Sequence, residues 1–195
     1  MNTVAVAVSG GRDSLALLHC TLRAAGALGI DVVALHVHHG LQPAADAWAE
    51  RVAATCRRWR AQGWPLRFAL QRLAGKPLAG ESVEAWARRG RYQALGAMAR
   101  DACAGLVLLA HHRRDQAETV LLQALRGAGP AGLAVMPRCA ERDDLVWARP
   151  WLHLAPAAIE HYVHRHRLRG VDDPSNADPR YARSRLRAQV MPALR

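Results

Sequence analysis

The segment SGGRDS at residues 9–14 separates a short apolar run from an amphipathic one, and it constrains the fold more than any other part of the chain. The run Val4–Val8 predicts a buried strand, and the residues from Ser14 to about Ala25 predict a helix with leucines on one face. Gly10 and Gly11 would let backbone amides approach an anion closely, and the amino terminus of the helix would add further donors. The segment therefore predicts a phosphate-binding loop between a strand and a helix.

The loop carries Asp13 and lacks the lysine that a Walker A loop requires. A carboxylate would repel phosphate unless a cation lay between them. We therefore predict that Asp13 and phosphate oxygens hold Mg²⁺, that Arg12 adds positive charge, and that Ser9 and Ser14 add hydrogen-bond donors. The alternative is an ordinary turn in which Asp13 caps the helix.

Short apolar runs alternate with amphipathic ones along most of the remaining chain, which is typical of βαβ units. The further predicted elements are strands at Asp31–Val37, Pro65–Leu70 and Leu106–Ala110, a fifth strand within LVWARPWL, and helices at about Ala44–Gln62, Glu81–Ala99, Asp115–Arg126 and Pro156–Arg165. We predict an α/β fold with an open, mostly parallel five-stranded sheet and helices on both faces. Residues 1–195 would form a single domain, with about 150–195 as its C-terminal helical extension.

The composition favours a polyanion as a partner, because the formal net charge is +11 and Lys76 is the only lysine among the 27 basic residues. An arginine bias of the genome is the other explanation for this composition. The four cysteines are single and widely spaced, so we expect reduced thiols rather than a zinc or iron–sulfur site. No apolar run is long enough to span a membrane, and we expect a cytoplasmic protein.

Several motifs resemble those of one enzyme family. SGGRDS matches the SGGxDS motif of the PP-loop ATPases, which cleave ATP between its α- and β-phosphates and activate a substrate as an adenylate. HVHHGLQ, SVEAWARRGRYQAL and LAHHRRDQAETVLLQALRGAGPAGLAVM resemble segments of the tRNA(Ile)-lysidine synthetases. RPWL and DDPSNADPRYARSRLRAQVMPAL resemble the closing motifs of that family, so the match runs in order from Val4 to Leu194.

The resemblance implies an enzyme that converts the wobble cytidine of tRNA(Ile) with a CAU anticodon to lysidine. ATP would adenylate the C2 oxygen of the base, and the ε-amine of free L-lysine would then displace AMP. Members of that family usually continue beyond the catalytic domain, so the C-terminal tRNA-binding domains would be absent from this chain. The resemblance also leaves a homodimer open.

Two acids lie three residues apart on a predicted helix, which places both carboxylates on one side near its amino terminus. Such a pair could hold an ammonium group and accept its proton, although a capping acid beside a solvated one is the ordinary alternative. The resemblance implies the first reading and assigns the following roles. The catalytic residues would be Asp13, His111, Asp115, Glu118 and Arg183; the ATP-binding residues would be Ser9, Gly10, Gly11, Arg12, Asp13, Ser14, His36 and Arg91; Asp115 and Glu118 would bind lysine, and Asp13 would bind the metal.

Two positions depart from the family pattern, which commonly has Asn where this chain has His38 and Ser184. Two alternative functions also remain. A PP-loop tRNA thiolase would use cysteines to handle sulfur, and an inactive RNA-binding domain would keep the fold and the basic surface.

Overall fold

The first apolar run forms a strand near the middle of a six-stranded sheet. The computed structural model describes residues 2–77, 80–171 and 178–194, and all six strands of this sheet lie within them. The strands are β1 Thr3–Ala7, β2 Asp31–His38, β3 Leu66–Arg72, β4 Ala104–Leu108, β5 Cys139–Arg142 and β6 Leu145–Ala148. Their order across the sheet is β3-β2-β1-β4-β6-β5, and all neighbouring pairs are parallel except β5 and β6.

Helices cover both faces of this sheet. The helices are α1 Arg12–Leu28, α2 Ala45–Ala61, α3 Val83–Asp101, α4 Arg113–Leu125, α5 Pro130–Leu133, α6 Pro156–Arg165 and α7 Ala182–Arg185. The chain continues from α7 into a π-helical turn at Leu186–Val190 and a 3₁₀ turn at Met191–Leu194. Helices α1 and α2 pack on one face, α3 packs on the other, and α6 lies against the outside of α1.

Side chains along β2 point alternately to the two faces of the sheet, which explains why the core has two layers. Val32 and Ala34 face the α1 and α2 side, where they join Leu18 and Leu22, whereas Leu35 belongs to the α3 side. Both sides of the strand are therefore buried, and Val32–Leu35 form a continuous apolar run, as expected for the interior of a parallel sheet.

The predicted fold class is confirmed, but the sheet has six strands where the sequence predicts five. The additional strand, Cys139–Arg142, lies at the edge, is polar and mostly exposed, and therefore lacks the apolar run that marks the other strands. It pairs with β6 through a turn in which Asp143 and Asp144 both have positive φ. A hairpin turn of this kind has little hydrophobic signal in the sequence.

Several predicted boundaries differ by a few residues. Helix α1 begins at Arg12 rather than Ser14 and ends where Gly29 adopts a left-handed conformation. Strand β4 ends at Leu108, although the apolar run that predicts it continues. Leu109 lies beyond the end of the strand but remains buried. Among the described residues, no helix combines the length and the apolar character that crossing a lipid bilayer would require.

Candidate active site

The sheet order reverses direction at β1, because β2 follows on one side of it and β4 lies on the other. In open parallel sheets, ligands bind at the carboxyl ends of the strands beside such a switch point. An open cleft of about 970 Å³ lies at this position, which is the size of a site for a nucleotide and part of a second substrate. Its walls come from the loop after β1, the end of β2, helix α3, the loop after β4, and α7 with the turn that follows it.

The loop after β1 is held in shape by two serine hydroxyls. Ser14 Oγ donates to Gly11 O at 2.9 Å and accepts from Ser9 N at 3.2 Å, and the two hydroxyl oxygens lie 3.2 Å apart. Gly10 has a φ of 95°, which a residue with a side chain rarely adopts. Ser14 is buried and shapes the loop, whereas Ser9 is exposed beside the cleft.

Asp13 lies in the first turn of α1 and lines the cleft. The residue that caps the helix is Gly11, so the alternative in which Asp13 caps it is wrong. The side chain of Asp13 is 35% exposed, and its nearest charged neighbours are His112 Nε2 at 3.6 Å and Arg12 Nε at 3.7 Å. Arg12 itself is directed to helix α6, where it forms a 2.9 Å ion pair with Glu160.

The end of β2 contributes two buried histidines. His36 Nδ1 lies 2.7 Å from the carbonyl oxygen of Val8, and burial lowers the pKa of His36. His38, one of the two departures, lies 3.3 Å from Asp46, which also pairs with Arg72. His38 therefore ties the end of the strand to α2.

Two further imidazoles, His39 and His111, line the cleft in the neutral form. Burial is the main cause that lowers the pKa of each to about 4, with Arg91 adding to the effect at both. Asp115 opposes the shift at His111 without reversing it. The Nδ1 atom of each ring is buried and has no hydrogen-bond partner among the described residues. Neutral rings of this kind suit hydrogen bonding to a nucleobase better than charge pairing with phosphate.

His112 lies between two carboxylates. Its Nε2 is 3.6 Å from Asp13 and its Nδ1 is 3.6 Å from Asp115, whose carboxylate also accepts a 3.0 Å hydrogen bond from the His112 backbone N–H. Burial opposes protonation, but the two carboxylates outweigh it and raise the pKa of His112. The structure thus brings Asp13 and Asp115, which are far apart in sequence, to opposite sides of one imidazole.

Glu118 is fully buried and does not line the cleft. Arg187 donates to both of its carboxylate oxygens, at 2.6 and 2.9 Å, and also lies 3.8 Å from Asp115. Glu118 and Asp115 raise the pKa of Arg187. Of the two acids predicted to act together, Asp115 faces the cleft and Glu118 is already paired with a cation.

The cleft walls formed by α3 and α7 carry several arginines. Arg183 donates a 3.2 Å hydrogen bond to Thr119 Oγ1, which in turn donates to the carbonyl oxygen of Asp115. Arg91 and Arg88 lie on α3, where their guanidinium groups are 6.0 and 5.3 Å from the Tyr92 ring centre. Burial lowers the pKa of Arg91, and the charges of Arg88 and Arg183 add to this effect. These cations create a positive field in the cleft.

Arg187 is a cleft residue that the sequence motifs do not indicate, although its spacing from Arg183 could reveal it. The two residues are four apart, so they follow one another on the same side of a helical segment. Ser184, the second departure, is buried. The DDPSN motif at residues 172–176 lies outside the described residues.

The donor set is compatible with Mg²⁺ bound together with a nucleotide. Within the described parts of the chain, no three His, Cys, Asp or Glu side chains are grouped so that they could hold a metal ion on their own. Mg²⁺ is commonly held by one or two carboxylates, with phosphate oxygens and water completing its octahedron. Asp13, which lines the cleft beside the loop after β1, would supply one such carboxylate.

Comparisons with known proteins agree on one family. The PP-loop domain profile matches residues 1–194. The tRNA(Ile)-lysidine synthase of Ralstonia nicotianae is 51% identical over 95% of this chain, and that of Bordetella pertussis is 47% identical over 98%. The chain spans 39% and 59% of the length of these relatives.

A solved structure supports the same fold. The U34-tRNA thiolase NcsA from Methanococcus maripaludis superposes with a TM-score of 0.76, over 95% of this chain and 65% of that one. The two sequences are 15% identical, so this likeness concerns the fold alone.

Proposed function

The chain belongs to the PP-loop domain family, and on that premise we propose that it catalyses ATP-dependent formation of lysidine on the wobble cytidine of tRNA(Ile) with a CAU anticodon. The observation that carries this proposal is the position of His112 at 3.6 Å from both Asp13 and Asp115. Asp13 lies beside the loop that would hold ATP, and Asp115 belongs to the helix that would receive lysine. Both substrates must meet at one carbon of the base, so their sites have to adjoin.

The adenylation half of the reaction would take place on the loop after β1. The residues proposed to hold ATP are Ser9, Gly10, Gly11, Arg12, Ser14, His36 and Arg91. Asp13 would bind Mg²⁺, which neutralises the phosphates and aids the departure of pyrophosphate when it is bound. His36 is buried, and its Nδ1 contacts Val8 O. We therefore assign it to the wall of the nucleotide site and expect its ring to be neutral.

The cytidine would enter from the side of the cleft where His111 lies. The low pKa of His111 keeps the ring neutral near pH 7, which suits a hydrogen bond to the base. Unpaired anticodon bases expose the edges that such contacts can recognise. Surrounding arginines would contact the tRNA backbone, in agreement with the net charge of +11. A tRNA substrate also fits the expectation of a cytoplasmic protein.

The lysine half of the reaction would use the acids of α4. Asp115 lines the cleft and would bind the attacking amine and accept its proton. Glu118 would take part through its pair with Arg187, either by holding that guanidinium in place or by exchanging it for the ammonium of lysine. Arg183, fixed by Thr119, would stabilise negative charge on the departing AMP.

The two alternative functions are less well supported. The thiolase structure contains a 4Fe-4S cluster, whereas none of the four cysteines of this chain, all within the described residues, lines the cleft. An RNA-binding domain without catalysis would need neither Asp13 nor Asp115 in the cleft. The retained loop and carboxylates therefore favour an enzyme.

The test is to incubate the chain with Mg²⁺, ATP, radiolabelled lysine and a tRNA(Ile) transcript, and to measure labelled lysidine and pyrophosphate. We expect label only in tRNA with a CAU anticodon, and only when ATP is present. The matched control is the same tRNA body with an unrelated anticodon. Equal labelling of both transcripts, or ATP binding without any labelling, would refute lysidine formation by this chain.

A further inference from the structure

The segment that follows α6 crosses the loop after β1. The structure assigns Gly170 in this segment as a positioning residue for that loop. We call residues 168–171 the strap. The inference deepens the proposed function, because it rests on ATP binding at the loop after β1. In this role, the strap holds the backbone amides of the loop in place before ATP binds.

The first contact is between Gly170 and the backbone of Arg12. A Cβ atom on Gly170 would lie 2.5 Å from Arg12 N and 2.8 Å from Arg12 Cα. Cβ atoms essentially never approach other atoms this closely, and the backbone of a helix cannot move aside cheaply. Gly170 is not among the glycines with positive φ, so space and not backbone conformation requires a glycine here.

The second contact joins the strap to Gly10. The backbone N–H of Val171 donates a 2.8 Å hydrogen bond to Gly10 O. The Val171 side chain lies beside the same glycine, within 3.7 Å of the position that a Cβ on Gly10 would occupy. The strap therefore touches the loop on both sides of Gly11, the residue that caps α1.

The other end of the strap is anchored through α6. Glu160 on α6 pairs with Arg12 at 2.9 Å, and Tyr162 OH lies 2.8 Å from His19 Nδ1 on α1. Leu168 packs into the core on the same side of the sheet. Helix α6 and the strap thus form a clamp with α1, and the loop lies at one end of it.

Such a clamp matters because anion-binding amides act best when they are fixed in advance. A loop that is free to rearrange must be ordered when the phosphates bind, and that ordering reduces affinity. Displacing reacting groups by about 1 Å can lower a rate by about two orders of magnitude. A methyl group between Gly170 and Arg12 would produce a displacement of about this kind.

The experiment compares Gly170→Ala with Gly26→Ala as the matched control. Gly26 lies on the same helix α1, and a Cβ there meets nothing within 4 Å. We measure the Kd for MgATP by calorimetry and the KM values for ATP and lysine in the lysidine assay. We expect Gly170→Ala to raise the Kd and KM for ATP about tenfold or more, with an unchanged KM for lysine and no change in Gly26→Ala. A variant that is only less stable would lose active protein, which lowers kcat and leaves both KM values unchanged.

A second variant covers the case in which Gly170→Ala does not fold. Glu160→Gln keeps the size of the side chain and removes the ion pair with Arg12 on an exposed surface, and we expect a two- to fivefold rise in the Kd for MgATP. An ATP Kd within experimental error of the parent in both Gly170→Ala and Glu160→Gln, or in the one that folds, would overturn the inference. The calorimetric Kd does not depend on lysidine formation. If the parent binds MgATP but modifies no tRNA, the proposed function is refuted, whereas the Kd values of the variants and the parent still test the role of Gly170.

Discussion

Arg187 donates two hydrogen bonds to Glu118, and the Glu118 carboxylate is completely shielded from solvent. The pair connects α4 with the π-helical turn after α7, two parts of the chain that are 69 residues apart in sequence. A fully buried carboxylate is tolerated only when a cation or several donors compensate it. The basic segment after α7 therefore supplies the cation that compensates the buried Glu118 carboxylate.

The pair should be asymmetric in its effect on stability. Arg187→Gln leaves Glu118 buried without its cation, and we expect the free energy of unfolding to fall by about 3 kcal/mol. Glu118→Gln leaves a guanidinium that is 35% exposed and can turn toward water, and we expect a loss of about 1 kcal/mol. Urea unfolding followed by tryptophan fluorescence measures both values. The double variant should be more stable than Arg187→Gln alone; equal losses in the two single variants would contradict the asymmetry.

Asp13→Asn should weaken the binding of MgATP but not the binding of ATP in the absence of metal. The amide cannot supply the negative charge that a magnesium ion needs, whereas removing the carboxylate relieves its repulsion of phosphate. We expect at least a tenfold rise in the Kd for MgATP and loss of pyrophosphate release on tRNA. Asp101→Asn, at the exposed end of α3, is the control and should behave like the parent. Equal MgATP affinity in Asp13→Asn and the parent would exclude Asp13 as a metal ligand.

Most of the sheet could be predicted from the sequence, because the central parallel strands contain short apolar runs, such as Val32–Leu35. The edge strand Cys139–Arg142 could not, because it buries little and depends on pairing with its neighbour. Helix α5 lies in a stretch that the sequence marks only as a glycine- and proline-rich loop. Local patterns thus predict elements that carry the core and miss those that tertiary contacts create.

The same limit applies to the site. The sequence indicated Asp13 and Asp115 as site residues, but only the fold places His112 between them. Spacing on α4 puts Asp115 and Glu118 on one side of the helix, yet it does not reveal which acid faces the cleft. That difference depends on Arg187, which approaches from the far end of the chain.

Protonation of His39 and His111 should destabilise the fold in mild acid. The pKa of each is lowered to about 4 in the folded chain, from an ordinary value of 6.5, so the unfolded chain binds more protons between these values. Their stabilising effect is complete above pH 6.5 and is lost as the pH falls toward 4, by on the order of 3 kcal/mol for the two together. His112, with a raised pKa, acts in the opposite direction, since its contribution is lost as the pH rises through its folded pKa.

Urea unfolding at pH 7.5, 5.5 and 4.5 measures this effect. We expect the parent to lose stability steadily over this range and the double variant His39→Gln/His111→Gln to lose less. Asp46 and Asp178, whose pKa values are lowered from the ordinary 3.8, stay ionised over this range in both proteins and cancel in the comparison. Parallel pH curves for the two proteins would show that neither histidine is held neutral by burial.

The two half-reactions should separate at α4. Asp115→Asn keeps an oxygen that can accept the backbone hydrogen bond of His112, but it loses the charge that attracts an ammonium and the basicity that accepts its proton. We expect lysine-independent pyrophosphate release on tRNA to stay within a few-fold of the parent, and the KM for lysine to rise at least tenfold or lysine transfer to stop. Glu118→Gln should show the same separation, because losing the pair with Arg187 leaves that guanidinium free to compete with the ammonium at Asp115.

Glu141→Gln, an exposed acid on β5 outside the cleft, is the control for both variants and should leave both half-reactions unchanged. Pyrophosphate release and transfer of labelled lysine are measured on the same tRNA preparation, so a loss of folded enzyme would lower both signals together. A fall in pyrophosphate release with an unchanged lysine KM would instead place Asp115 beside the metal and the phosphates. His112 lies equally close to Asp13 and Asp115, so this measurement decides which of the two substrates the α4 carboxylate serves.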